Sequence, residues 1–146
     1  MKTISFEFVE HIPEKLDEGI IYVSLKYCTA VHKCCCGCQE EVVTPLSPVD
    51  WQLTFDGKTI TLDPSIGNWG LKCQSHYWIR KNKIIWLEKW PDSKIKLLQE
   101  ADQIEKEEYY KIINKKRKRL WKRFFFYFIF TIVWYPHLSG KFLLAW

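Results

Sequence analysis

The sequence predicts a mainly β fold: a small antiparallel, zinc-stabilised domain over residues 1–90, then a long charged α-helix over 91–123 and an apolar C-terminal segment over 124–146. Three observations lead there. Short alternating apolar runs, separated by Gly, Pro and Asp-Gly turn signals, fill the first part of the chain. Five of the six cysteines and two of the four histidines fall in two short blocks, at 32–38 and 73–76. Beyond Pro91 the composition changes to Lys, Glu, Leu, Ile and Gln, as a solvated helix requires.

The elements follow in order. Residues 4–10 alternate like a strand, and no long apolar h-region follows Met1, so the segment does not read as a signal peptide. The domain is therefore expected in the cytosol, where thiols stay reduced and clustered cysteines mean metal or redox chemistry. Residues 20–25 form a strand behind Gly19 and lead toward the first cysteine block. Val42 and Val43 precede Pro45 and Pro48, which rule out a central strand there. Residues 51–55 alternate and end at Asp56-Gly57, a hairpin turn, with 59–62 returning. Residues 64–70 read as a loop, and 77–80 with 84–87 as a last hairpin. Trp51, Trp69, Trp78, Trp86 and Trp90 are expected in the core, or alternatively around a peptide-binding groove. Such a short domain has a modest core, and a structural metal is a useful staple.

Asp92 or Ser93 can cap the helix that follows, whose acidic residues come early and basic residues late, as the helix dipole favours. The net charge is +5, but residues 115–123 hold seven positive charges, and removing them leaves the rest of the chain at −2. A nucleic-acid-binding face on the main domain is thus not expected, and nucleic acid is excluded as a partner. From Phe124 the apolar run is twelve residues, too short to span a bilayer, but counted to Trp146 it is twenty-three. As helix that is about 35 Å. With the basic flank before it, the segment 124–146 is expected to associate with the membrane and to tether the protein at the cytoplasmic face of the inner membrane. An interfacial segment, or one packed on the domain or a partner, are the alternatives.

The cysteines carry the strongest chemical signal. On an extended strand His32, Cys34 and Cys36 would share a face, and Gly37 permits a turn that swings Cys38 back toward them. Cys34, Cys36, Cys38 and Cys73 then make the simplest four-thiolate site for Zn2+, and exchange of one for His32 or His76 gives a three-cysteine, one-histidine site. Four thiolates would close the coordination sphere and make the metal structural. A catalytic metal needs an open position and a base; Glu40 and Glu41 are near, but neither an H-E-x-x-H helix nor a deaminase pattern is present. Nucleophilic chemistry could instead use Ser65 or Ser75. Adjacent strand residues face apart, so Ser75 with His76 is a poor pair, whereas Ser65 with His76 or Ser75 with His32 is easier. Asn68 could donate to an oxyanion.

The motif order His32-x-Cys34-x-Cys36-Gly37-Cys38, Pro45-Leu46-Ser47-Pro48-x-x-Trp51, Asp56-Gly57, Pro64-Ser65-Ile66-Gly67-Asn68-Trp69 and Cys73-x-Ser75-His76-Tyr77-Trp78-Ile79 resembles the BubE-like proteins. These are small bacterial proteins encoded beside ubiquitin-like conjugation genes. The resemblance covers roughly residues 20–88 and leaves out the helix and the tail. It implies a peptidase of serine type that trims a ubiquitin-like precursor or releases it from targets, with the ubiquitin-like protein and its conjugation enzymes as partners. Carried onto this chain, it implies Ser65 or Ser75 as nucleophile and His76 or His32 as base, beside the cysteine site; no third, acidic member is matched. Two other readings remain at this stage. One is a non-enzymatic zinc-binding adaptor for the ubiquitin-like protein or its conjugation enzymes, and the other is a metal- or redox-sensing module.

Overall fold

A computed structural model describes residues 2–134. The chain divides into a unit spanning Met1–Glu100 and a second spanning Ala101–Trp146. The first carries eight strands in two four-stranded sheets. Strands β1 (Ser5–Phe8), β2 (Ile20–Ser24), β3 (Thr29–Lys33) and β4 (Glu41–Pro45) form one sheet in that order. Strands β5 (Gln52–Phe55), β6 (Ile60–Gly67), β7 (His76–Arg80) and β8 (Lys83–Trp86) form the other. Helix α1 runs from Asp92 to Trp134.

Alternation places the core. Ile21, Val23, Ala30 and Val42 from the first sheet meet Ile60, Leu62, Ile66, Tyr77 and Ile79 from the second, all buried. On the opposite face of the first sheet Tyr22 and Val31 are covered by Leu16, from the connection between β1 and β2. That crossing explains the one departure from the antiparallel expectation. Since the chain passes over the sheet between them, β1 pairs with β2 in parallel, Ser5 opposite Ile20. Strand β4 is an edge strand ending at Pro45, where a missing N–H costs no ladder bond.

Two further expectations change. The predicted loop over 64–70 is partly strand, because β6 continues to Gly67 and pairs Ile66 with Tyr77 and Gly67 with His76. The register slips between Leu62 and Ile66: four residues of β6 span what two residues of β7 span, from Ile79 to Tyr77. This bulge holds Pro64 and Ser65. Of the five tryptophans expected in the core, Trp51 packs against it half-buried, and Trp86 touches the core residue Tyr77 with ring centroids 5.3 Å apart. Trp86 is 48% exposed, and the other three line the outward side of the second sheet.

Helix α1 opens with Asp92 in its first turn, and the Pro91 carbonyl accepts from the N–H groups of Lys94 and Ile95. Among the described residues no helix is long and apolar enough to cross a membrane. The proposed anchor at 124–146 lies mostly outside them: α1 continues to Trp134, and residues 135–146 are not described.

Candidate functional site

Strand β3 ends at Lys33, and the chain turns at once. Cys34 N–H donates to the Glu40 carbonyl at 2.8 Å, and Gly37 N–H returns to the Cys34 carbonyl at 3.0 Å. Gly37 has φ 89° and Gln39 φ 67°, left-handed conformations that glycine accepts without cost. This turn, not strand alternation, gathers the thiols. The Sγ atoms of Cys34, Cys36, Cys38 and Cys73 all lie within 4.8 Å of one another. Four thiolates at Zn–S bonds of 2.3 Å in a tetrahedron stand about 3.8 Å apart, so the donor set and spacing fit zinc. Cys35 faces away into the core, where burial pushes its thiol up to about 11, and Cys28 is exposed elsewhere. Burial also raises the Cys36 thiol, to about 12. Burial opposes ionisation of Cys73 too, but hydrogen bonds from the Ser75 side chain and backbone, and from Cys36 and Cys38, outweigh it and bring the thiol to about 7.

The cluster continues inward as a polar network. Ser75 Oγ lies 3.1 Å from Cys34 Sγ and accepts from Asn68 Nδ2 at 2.8 Å. Asn68 Nδ2 also reaches Tyr77 Oη at 3.4 Å, and Tyr77 Oη meets His32 Nε2 at 2.9 Å. His32 is fully buried, and desolvation lowers its pKa to about 4, so it is neutral at physiological pH. His32 and Ser75 are therefore not brought together: each is held by another partner. Asn68, expected at an oxyanion, instead faces this network.

On the other side of β7 the arrangement differs. His76 pairs with Gly67, so its side chain shares a face with Gly67 and, two residues back, with Ser65. Because Gly67 has no side chain, the Trp69 indole can lie against it, where a Cβ would stand 2.3 Å from the ring. Ser65 Oγ stands 3.0 Å from His76 Nε2. The other ring nitrogen, Nδ1, stands 3.0 Å from the Glu88 carbonyl oxygen. A carbonyl can only accept, so Nδ1 carries the proton and Nε2 presents its lone pair to the serine hydroxyl. Trp69 and Trp90 stack at 5.7 Å and contact the imidazole at 5.0 and 4.7 Å. His76 is 3% exposed and Ser65 half-buried.

A serine held against a histidine whose tautomer is set from behind is the working core of a serine peptidase. The profile of the family described as bacterial ubiquitination-like system serine protease (BubE) matches residues 8–87, more than half the chain. The chain belongs to the BubE family. No curated protein and no solved structure matches it. The region matched to BubE contains the four cysteines, Ser65, Ser75, His32 and His76, and stops one residue short of Glu88. Glu88 is what sequence reasoning missed. Its contribution is a main-chain carbonyl, which any residue type supplies, so no side-chain pattern could reveal it.

Proposed function

We propose that this chain is a serine peptidase acting in a bacterial ubiquitin-like pathway, cutting at the C-terminus of the ubiquitin-like precursor or releasing it from its conjugates. The carrying observation is the chain of contacts from the Ser65 hydroxyl through the His76 ring to the Glu88 carbonyl, each link 3.0 Å long. Ser65 Oγ attacks the scissile carbonyl carbon as its proton passes to His76 Nε2. The Glu88 carbonyl steadies the resulting imidazolium through Nδ1–H. His76 then returns the proton to the leaving amine, and water repeats the cycle on the acyl-enzyme. A neutral carbonyl stabilises the imidazolium less than a carboxylate would, so this site is expected to be slower than a triad with an acid.

The cysteine cluster takes a structural role in this reading. A zinc ion held by Cys34, Cys36, Cys38 and Cys73 would tie the turn after β3 to the segment entering β7, next to Ser75 and His76. With four thiolates its coordination is closed, and it supplies a cross-link, not a reaction centre. A fluorophosphonate probe tests the reading. It should label one peptide, the one containing Ser65, and chelator treatment that leaves the fold intact should not prevent it. Labelling at Ser75, or none, would favour a non-enzymatic adaptor that grips the ubiquitin-like protein.

A further inference from the structure

The geometry points to the open edge of β6 at residues 65–67 as the docking edge for substrate, where an extended C-terminal segment of the ubiquitin-like protein adds as an extra strand. The inference rests on Ser65 being the nucleophile. Strand β5 pairs with β6 from Phe55 opposite Ile60 to Gln52 opposite Asp63, and there the pairing ends. Trp51, next along, is drawn toward the end of β4: its N–H donates to the Pro45 carbonyl at 3.1 Å, and its carbonyl accepts from Ser47 N–H at 3.2 Å. Both of its main-chain groups are thus spent away from β6.

Strand β6 itself runs on past that point. Ile66 pairs with Tyr77, and Asn68 N–H donates to the Ser75 carbonyl at 2.9 Å, so the main-chain groups of Ile66 and Asn68 face β7. Successive residues of a ladder direct these groups to opposite sides. The N–H and C=O of Ser65 and Gly67 therefore face the line that β5 has left. Pro64, which has no N–H, lies in the bulge that interrupts the ladder to β7 just before this point. The result is a short strand position beside the nucleophile with no strand of this sheet in it.

An extended peptide suits that position for two reasons. Its carbonyls and N–H groups alternate to match those of Ser65 and Gly67, and arrival along the edge brings a peptide carbonyl next to Ser65 Oγ. Approach over the outward face is obstructed instead, because the Trp69 indole lies against Gly67 so closely that a Cβ there would meet it at 2.3 Å. A flexible C-terminal segment can enter as a strand, whereas a strand already paired within a folded body has its groups engaged.

Semisynthetic ubiquitin-like protein bearing a C-terminal aminocoumarin amide provides the test. Single N-methyl groups, and in a second series single ester links that delete the donor without adding bulk, are placed at each of the residues leading to the cleaved bond. Cleavage efficiency should fall about tenfold or more at alternate positions for N-methylation, less for the ester, and stay within about twofold at those between. Equal tolerance at every position, or a loss that simply fades with distance, overturns strand addition while Ser65→Ala stays inactive. Cleavage of the unmodified substrate by Ser65→Ala, or none by the wild-type chain, overturns the nucleophile reading and this inference with it.

Discussion

The two faces of β7 each bring a serine and a histidine into hydrogen-bonded clusters, and they use them in opposite ways. On the inward side Ser75 is bound by Asn68 and Cys34, and His32 by Tyr77, so hydroxyl and imidazole never meet. On the outward side Ser65 and His76 meet directly, and the histidine's second nitrogen is held by a carbonyl. One residue along the strand separates the two outcomes, since Ser75 and Tyr77 point one way and His76 the other. The difference teaches that polar side chains of the same types become scaffold or chemistry according to what completes their hydrogen bonding. Where such a network is buried in the core it supports the fold; where it sets a serine hydroxyl against a nitrogen lone pair in a half-buried position, it can react.

The largest effect should come from removing the outward serine. Ser65→Ala is expected to lower kcat/KM by about a thousandfold or more, measured on a ubiquitin-like precursor, with the thermal midpoint nearly unchanged. The same loss from Ser75→Ala, with Ser65→Ala active, would reverse the assignment of the two faces.

Metal removal comes next and acts on the inward side. The purified chain should hold one zinc, and chelation should lower the thermal midpoint by about 10 °C or more. Activity should decline only as the folded fraction does. Immediate loss of cleavage with circular dichroism unchanged, restored by added zinc, would move the chemistry onto the metal. Smaller again is Ser75→Ala, which strips the Asn68 amide of its nearest acceptor. It should cost about 1–3 kcal/mol of stability in urea unfolding and leave kcat within a few-fold of wild type.

Much of this was legible in the sequence, and the gaps have physical causes. Cys34, Cys36, Cys38 and Cys73 were recognisable as a candidate metal cluster because thiols gathered in two short blocks suit a soft ion, and their sulfur atoms do lie together. The expected turn at Gly37 is present, but strand alternation is not part of the convergence: β3 stops at Lys33, so Cys34 and Cys36 already lie in the turn. Pairing Ser65 with His76 was open to simple alternation, since adjacent residues cannot share a face. What selects it over Ser75 with His32 was not, because that depends on the bulge in β6 and on Tyr77 reaching His32 across the sheets. The carbonyl of Glu88 was invisible altogether, as main-chain groups leave no trace in residue type. The tryptophans misled for a related reason: a large apolar ring packed on the outward side beside His76 looks in sequence like any core ring.

The smallest predicted effect bears on how the outward face keeps its histidine in place. Gly67 has ordinary backbone angles, so alanine there meets no conformational penalty, yet its Cβ would lie 2.3 Å from the Trp69 ring. The indole must move, and with it the contacts to His76 at 5.0 Å and Trp90 at 5.7 Å. Gly67→Ala is therefore expected to lower kcat by about tenfold, corresponding to a shift of the imidazole from its in-line position, with KM little changed. Tryptophan fluorescence should report the displaced ring. If the indole is the intermediary, Trp69→Ala should cause a similar loss, and the double variant should be no worse than the more affected single one. Independent, multiplying losses would mean that Gly67 acts on Ser65 directly through β6. The wall beside His76 would then be a bystander, and the outward face would owe its geometry to the strand alone.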